Sequence, residues 1–332
     1  MPQTNQITVL MPCRDAQATV AQAVQSILRQ RGVAVRLLAV DDGSRDGTLR
    51  ILNELSAADA RLRVVEQKRL GLVAALNLGL SLVETDYLAR QDADDVSHPD
   101  RLRLQLDLLE QETHLDVTGC MLCGFPASAV GQGMRRYEEW QNALITHSQM
   151  ERELFVESPL AHATLLMKSS TLQEAGGFRR FDGPEDWDLW ARLLQRGCRF
   201  SKVARRLYFW REHPDRTTRK DTRLSEENFR RAKLEALLAG PMKDRSAVEL
   251  WSWGNQGEAW NRLLSGSPDM QVRYLQINPR PLMAARTALP PIIRARDTLV
   301  LLAYGSPKVR TWFRKALAAR GGREGEDFIL LR

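Results

Sequence analysis

Residues 35–44, VRLLAVDDGS, join an apolar run to an acidic turn. The run at 35–40 is typical of a strand that is buried in a parallel sheet. Asp41-Asp42-Gly43-Ser44 then favours a turn, since Asp-Gly is a common turn pair. In open α/β sheets, ligands bind in loops beyond the carboxyl ends of strands, so this segment predicts both a fold class and the location of a site.

The alternation of strand and helix continues on both sides of this segment. Further strands are predicted at 7–11, 62–65, 87–89 and 163–167, and helices at 20–28, 47–55, 71–82 and after Pro99. This order predicts an α/β fold with a mainly parallel sheet flanked by helices. Three polar clusters, 12–15, 41–44 and 92–95, follow strands, so we expect them to line one acidic crevice.

Asp92-Ala93-Asp94 places two carboxylates on the same side of an extended segment. Carboxylate oxygens suit Mg²⁺ or Mn²⁺, which would bridge to the oxygens of a diphosphate. The alternative is a solvated acidic turn before the helix that follows Pro99. The sequence is equally consistent with two roles for Asp41 and Asp42. They form either a turn with a helix cap or a contact to a base or ribose.

Glu185 and Asp186 begin a helix after Pro184. Acidic residues in a first turn complement the helix dipole, which is one explanation of the pair. The other is a general base, with Trp187 and Trp190 forming an apolar or sugar-stacking wall.

Four motifs, in this order, resemble those of the family 2 glycosyltransferases, which have the GT-A fold. They are ITVLMPCRD at 7–15, VDDGSRDGT at 40–48, DADD at 92–95 with PDRL at 99–102, and GGF at 176–178 with EDWDLW at 185–190. The resemblance covers residues 6–220. Two departures are Cys13-Arg14 in place of the commoner Thr-Tyr, and the polar pair Arg90-Gln91 before the acidic motif.

The resemblance implies a role for each matching position. The implied nucleotide-sugar-binding residues are Pro12, Arg14, Asp42, Asn77, Asp92, His162 and Trp187. The implied metal ligands, for Mg²⁺ or Mn²⁺, are Asp94 and His213, and the implied base is Asp186 with Glu185 beside it. Together they imply inverting transfer from a nucleoside-diphosphate sugar to a hydroxyl of a glycan or lipid-linked acceptor, in bacterial surface polysaccharide or glycoconjugate synthesis.

Two other functions share parts of this pattern. A sugar-phosphate nucleotidyltransferase would need a glycine-rich loop after the first strand, and Pro12-Cys13-Arg14-Asp15 is not one. A non-catalytic scaffold would be favoured if Asp94 or Asp186 were missing, and both are present.

A second α/β pattern begins near residue 246, after Gly240-Pro241. We therefore predict a catalytic domain over 1–240 and a small Rossmann-like domain over 246–332. The segment WGNQGEA at 253–259 resembles an incomplete dinucleotide-binding glycine loop, and Asn278 stands where an acidic ribose ligand is expected. We favour a structural or partner-binding role for this domain over a nucleotide site.

Charge divides the chain. Residues 1–198 hold 21 basic and 27 acidic side chains, whereas residues 199–332 hold 27 and 14, within a net charge of +7. No nucleic-acid motif accompanies the basic part, so we expect no nucleic acid and instead an anionic acceptor or the anionic inner membrane. The lack of a signal peptide and the four scattered cysteines predict a cytoplasmic protein, peripheral at the inner face of the membrane.

Overall fold

The computed structural model describes residues 6–213, 222–267, 270–284, 289–290 and 298–332. The chain divides into two compact units. The first consists of Met1–Met150, Pro159–Phe181 and Glu185–Asp221, and the second of Glu151–Ser158, Asp182–Pro184 and Thr222–Arg332. Each unit is built on its own sheet.

The first sheet has eight strands within the described residues. They are β1 (Gln6–Cys13), β2 (Ala34–Asp42), β3 (Leu62–Gln67), β4 (Tyr87–Arg90), β5 (Val96–Ser97), β6 (Val117–Phe125), β7 (Leu166–Lys168) and β8 (Phe200–Arg211). The helices between them are α1 (Val20–Leu28), α2 (Thr48–Ala58), α3 (Leu72–Ser81), α4 (Arg101–Gln111), α5 (Gln132–Ala143), α6 (His147–Glu153), α7 (Ser169–Glu174) and α8 (Glu185–Gln195).

The strands of the first sheet lie in the order β3-β2-β1-β4-β7-β6-β8-β5. The first four are parallel, β7 is antiparallel to both of its neighbours, and β6 is parallel to β8. Ile7, Val9 and Leu37 are fully buried in the core on this sheet. Because β1, β2 and β4 run in parallel, the loops after them meet at one edge, where the predicted site residues are concentrated.

The second unit contains a four-stranded, all-parallel sheet in the order β10-β9-β11-β12. Its strands are β9 (Ala247–Ser252), β10 (Gln271–Gln276), β11 (Thr298–Ala303) and β12 (Phe328–Leu331), and its helices are α9 (Glu226–Ala239), α10 (Asn255–Ser265), α11 (Pro279–Met283) and α12 (Pro307–Ala318). Trp251, Phe313 and Phe328 are buried in its core. The predicted fold class, with a large mainly parallel sheet and a second small one, is confirmed.

The middle of the chain differs from the sequence-based prediction. An apolar strand was expected at 163–167, but His162–Thr164 forms a 3₁₀ turn and the strand is the shorter β7. β6 and β8 pair along most of their lengths although neither shows a clean apolar alternation. Lys202 illustrates the reason: it is buried in β8, and its ammonium donates hydrogen bonds to the backbone and side-chain oxygens of Gln141.

Candidate functional site

Asp42, at the end of β2, holds the loop that follows β3. Its carboxylate is 3% exposed and accepts hydrogen bonds from the Gln67 amide at 2.7 Å and from the Leu70 and Gly71 backbone N–H groups at 2.8 and 3.0 Å. Most of its acceptor capacity is therefore used inside the protein. Its Oδ2 also faces the Arg14 guanidinium at 3.7 Å, and Pro12 lies just before Arg14, at the end of β1.

Three acidic residues cluster in the loop after β4. One carboxylate oxygen from each of Asp92, Asp94 and Asp95 lies within 4.8 Å of the others, an arrangement that could hold a metal ion. His213 reaches the same place, because its Nε2 lies 2.9 Å from Asp94 Oδ2. The structure thus brings together the predicted ligands Asp94 and His213, which are 119 residues apart in the chain.

Asp95 is a neighbour in this cluster that the sequence did not single out. It is 1% exposed, and within the described residues its Oδ2 has no hydrogen-bond partner. Burial, reinforced by the charges of Asp94 and Asp92, raises the pKa of Asp95 well above its usual value. An incompletely paired, buried carboxylate of this kind fits a bound cation, which would relieve the repulsion among the three acids.

Two basic residues that we did not predict as site residues fix the shape of this loop. Arg90 is 2% exposed and donates a 2.9 Å hydrogen bond to Asp92 Oδ1, which orients that carboxylate. Arg211, at the end of β8, donates from Nε to the Asp94 carbonyl at 2.6 Å and from its backbone N–H to Asp95 at 2.7 Å. The sequence signal was the Arg90-Gln91 pair at the end of an otherwise apolar strand.

The predicted acid pair lies in the first turn of α8. Asp186 Oδ1 accepts a 2.7 Å hydrogen bond from the Trp187 N–H. Burial by itself would raise the pKa of Glu185, but the adjacent His162 outweighs it and the pKa is lowered. His162 Nδ1 lies 3.6 Å from Glu185 Oε1, so these two residues meet although they are far apart in sequence.

The side chains of two predicted sugar-nucleotide residues, Asn77 and Trp187, are engaged within the protein. Asn77, on α3, exchanges hydrogen bonds with the backbone of Phe178 at 2.8 and 3.0 Å, and so ties α3 to the loop before α8. Gly177 permits this approach, since a Cβ there would lie 2.7 Å from Asn77 Oδ1 and its φ is +66°. Trp187 is 1% exposed in the core, a different location from the sugar-stacking wall that the sequence suggested.

The arrangement of acids at this sheet edge agrees with sequence comparison. Residues 8–174, half of the chain, match the profile described as Glycosyl transferase family 2. The chain belongs to this family. EpsE of Bacillus subtilis (strain 168), assigned as a glycosyltransferase, is 34% identical over 230 residues, covering 67% of this chain and 78% of EpsE. Family membership establishes a transferase.

Two more distant proteins extend the comparison. The UDP-Gal:alpha-D-GlcNAc-diphosphoundecaprenol beta-1,3-galactosyltransferase of Escherichia coli is 24% identical over 204 residues, covering 59% of this chain and 70% of that enzyme. The crystal structure of S. aureus TarS 1-349 in complex with UDP-GlcNAc superimposes with a TM-score of 0.57 at 19% identity, covering 71% of this chain and 67% of TarS. This structural likeness shows that the fold is shared.

Among the residues that the structure describes, none of the helices combines the length and the apolar character that crossing a bilayer requires.

Proposed function

We propose that this transferase moves a sugar from a nucleoside-diphosphate sugar to an acceptor hydroxyl, with inversion at the anomeric carbon. The observation that carries the proposal is the joint placement of the Asp92–Asp95 cluster with His213 at the edge of the large sheet. Family membership favours this function over a nucleotidyltransferase or a scaffold. The UDP-GlcNAc in the TarS complex supports a nucleotide-sugar donor.

A divalent cation, Mg²⁺ or Mn²⁺, fits the residues present. Asp94 and His213 would hold it, with the buried and incompletely paired Asp95 behind them. Oxygen and imidazole ligands suit both ions. When bound, such an ion neutralises the diphosphate of the donor and of the leaving group.

The residues of the chain then have the following roles in the proposed reaction. Arg14 and Asp42 border the nucleoside, and Arg90 holds Asp92 toward the donor sugar. Asp186 accepts the proton of the acceptor hydroxyl as the new bond forms between the acceptor oxygen and the anomeric carbon. The bond from that carbon to the phosphate oxygen breaks, and its electron pair leaves with the nucleoside diphosphate.

For the acceptor, we propose a growing glycan or a lipid-linked sugar in bacterial surface polysaccharide synthesis. The name of the E. coli galactosyltransferase, which specifies a diphosphoundecaprenol-linked sugar, supports an acceptor of this class. The excess of basic residues in 199–332 would favour an anionic acceptor or the anionic inner face of the membrane. The membrane contact is tested by sedimenting the protein with neutral vesicles and, separately, with anionic vesicles rich in phosphatidylglycerol. If the contact exists, the protein sediments with the anionic vesicles and not with the neutral ones.

We also propose that the catalytic domain spans 1–240 and that 246–332 form a small Rossmann-like domain with a structural or partner-binding role. The all-parallel β10-β9-β11-β12 order supports the likeness. Contact with an acceptor or a membrane would then depend on its excess of basic over acidic residues.

The experiment that tests the proposed function is a donor screen. The full chain is incubated with UDP-, GDP- and dTDP-sugars and a diphosphoundecaprenol-linked sugar as acceptor, with and without Mn²⁺, and release of nucleoside diphosphate is measured. We expect metal-dependent turnover of one donor class and, by NMR of the glycoside formed, an anomeric configuration opposite to that of the donor. Turnover of none of the donors, or retention of configuration, would contradict the proposal.

A further inference from the structure

The buried imidazole of His162 lies between the two halves of the candidate site, which are the acidic cluster at 92–95 and the acid pair at 185–186. It is 8% exposed, and within the described residues neither of its ring nitrogens makes a hydrogen bond. Buried polar groups are nearly always hydrogen-bonded, so an exception beside a catalytic site calls for a functional explanation.

The surroundings of His162 fix its orientation. The ring lies 5.2 Å from the Phe178 ring and 6.0 Å from the Trp190 ring, measured between centroids, and both neighbours are buried. Aromatic packing on two sides leaves the ring little freedom to turn. Its Nδ1 consequently faces Glu185 Oε1 at 3.6 Å, just beyond hydrogen-bond length.

The charged groups around His162 belong to both halves of the site. Glu185 comes from α8, while Arg90, from β4, and Asp92, from the following loop, act on it from the donor side. Arg90 is itself bound to Asp92. His162 therefore feels the charges of Arg90 and Asp92 on one side and faces Glu185, next to the proposed base, on the other.

We propose that His162 is a positioning residue of the transferase. Its Nδ1–H closes onto Glu185 in the working site and fixes the first turn of α8, so that Asp186 points at the acceptor hydroxyl. The proposal rests on the proposed function, because it assigns a task to the acid pair that this function uses. It gives His162 a contact with the acid pair in place of the nucleotide-sugar contact that family resemblance implies.

Kinetics of the full chain with the donor that the wild type turns over provide the first test. His162→Leu removes both ring nitrogens; we expect kcat to fall about ten- to a hundredfold, the range for a misplaced catalytic group, with little change in the donor KM. His162→Asn places an amide N–H near the Nδ1 position and should recover much of the loss, whereas His162→Gln, whose amide lies near Nε2, should recover less.

A double-mutant cycle joins the two partners. Glu185→Gln should lower kcat, and the combined His162→Leu/Glu185→Gln variant should lose less than the product of the two single losses, as expected for groups that act together. Because Phe178 packs against the same ring, Phe178→Leu should lower kcat in the wild type and have little further effect in His162→Leu. Equal activity of the Asn and Gln variants, independent losses in the cycle, or unchanged kcat in His162→Leu would overturn the proposal.

A spectroscopic test does not depend on turnover and so separates this inference from the proposed function. Long-range ¹H–¹⁵N NMR reports which imidazole nitrogen carries the proton. The sample contains Mg²⁺ in place of Mn²⁺, and UDP or GDP is added. In the wild-type chain we expect His162 to carry its proton on Nδ1. In Glu185→Gln we expect this tautomer to lose its preference. An Nε2–H tautomer in the wild type would overturn the positioning role even if sugar transfer were observed.

Discussion

The parallel strands of the two sheets carry different chemistry at their carboxyl ends. At the edge of the large sheet, Asp92, Asp94 and Asp95 crowd together, and one buried oxygen of Asp95 has no partner in the described part of the chain. At the edge of the small sheet, the hydroxyl groups of Ser252 and Tyr304 are neutral and bind backbone carbonyls. Ser252 donates to the Ala303 carbonyl at 2.6 Å, and Tyr304 donates to the Ile277 carbonyl at 3.0 Å.

The segment after β10 in the small sheet shows the same contrast. Asn278, where a ribose ligand was expected, accepts a 3.0 Å hydrogen bond from the Arg280 N–H and so caps α11. The comparison shows that parallel strands provide an edge where ligands can bind, whereas the side chains at that edge determine whether it can catalyse a reaction. We therefore assign catalysis to the edge of the large sheet alone, and the predictions below test that assignment.

Asp94→Ala should have the largest effect. The substitution removes the carboxylate that meets His213 and with it a ligand of the proposed cation. Because a bound cation contributes several kcal/mol to transition-state stabilisation, donor turnover should fall by about a thousandfold or more. Release of nucleoside diphosphate at saturating Mn²⁺ measures this. Asp107→Ala, which removes an exposed carboxylate paired with Arg103, is the control and should retain wild-type turnover.

Asp186→Asn should come next. It removes the proton acceptor while keeping the shape of the side chain, so kcat should fall by about 10² to 10⁴ while nucleotide affinity stays near that of the wild type. Asp188→Asn, in the same turn of α8, breaks an ion pair with Arg192 and should lower the melting temperature without a comparable loss of kcat. Full activity of Asp186→Asn would exclude Asp186 as the base.

Gly257→Ala probes the edge of the small sheet and should act on stability only. A Cβ at this position would lie 2.3 Å from the Tyr274 hydroxyl and 2.7 Å from Ser252 Cβ, so the loop would have to shift. Overpacking of this kind costs about 1–3 kcal/mol, which thermal or denaturant unfolding would detect. Gly133→Ala, in α5, meets nothing within 4 Å and is the matched control. A loss of kcat in folded Gly257→Ala would contradict the division of roles between the two edges.

Much of this organisation could be predicted from the sequence because local patterns encode it. Continuous apolar runs predicted β1 and β2, and the acidic turns after β2 and β4 predicted the edge where the site residues meet. The sequence could not show which residues that are far apart in the chain lie in contact. Arg211 and Asp95 acquire their roles through contacts that β8 brings to the loop after β4.

The wrong strand prediction at 163–167 has a similar cause. Ala163 and Leu166 look like neighbours in one apolar strand, yet the 3₁₀ turn at His162–Thr164 is anchored by tertiary contacts, among them the hydrogen bond from Arg101 to the Ala163 carbonyl. Family resemblance implied sugar-nucleotide contacts for Asn77 and Trp187, whereas in the structure their side chains turn to the Phe178 backbone and to the core.

The most direct test of the central claim is calorimetric titration of UDP, and separately of GDP, into the full chain with and without Mn²⁺. The account predicts nucleotide binding that requires Mn²⁺, that is lost in Asp94→Ala, and that is unchanged in Asn278→Ala. Binding that survives chelation and Asp94→Ala, or that disappears in Asn278→Ala, would place the nucleotide elsewhere and contradict the assignment of catalysis to the edge of the large sheet.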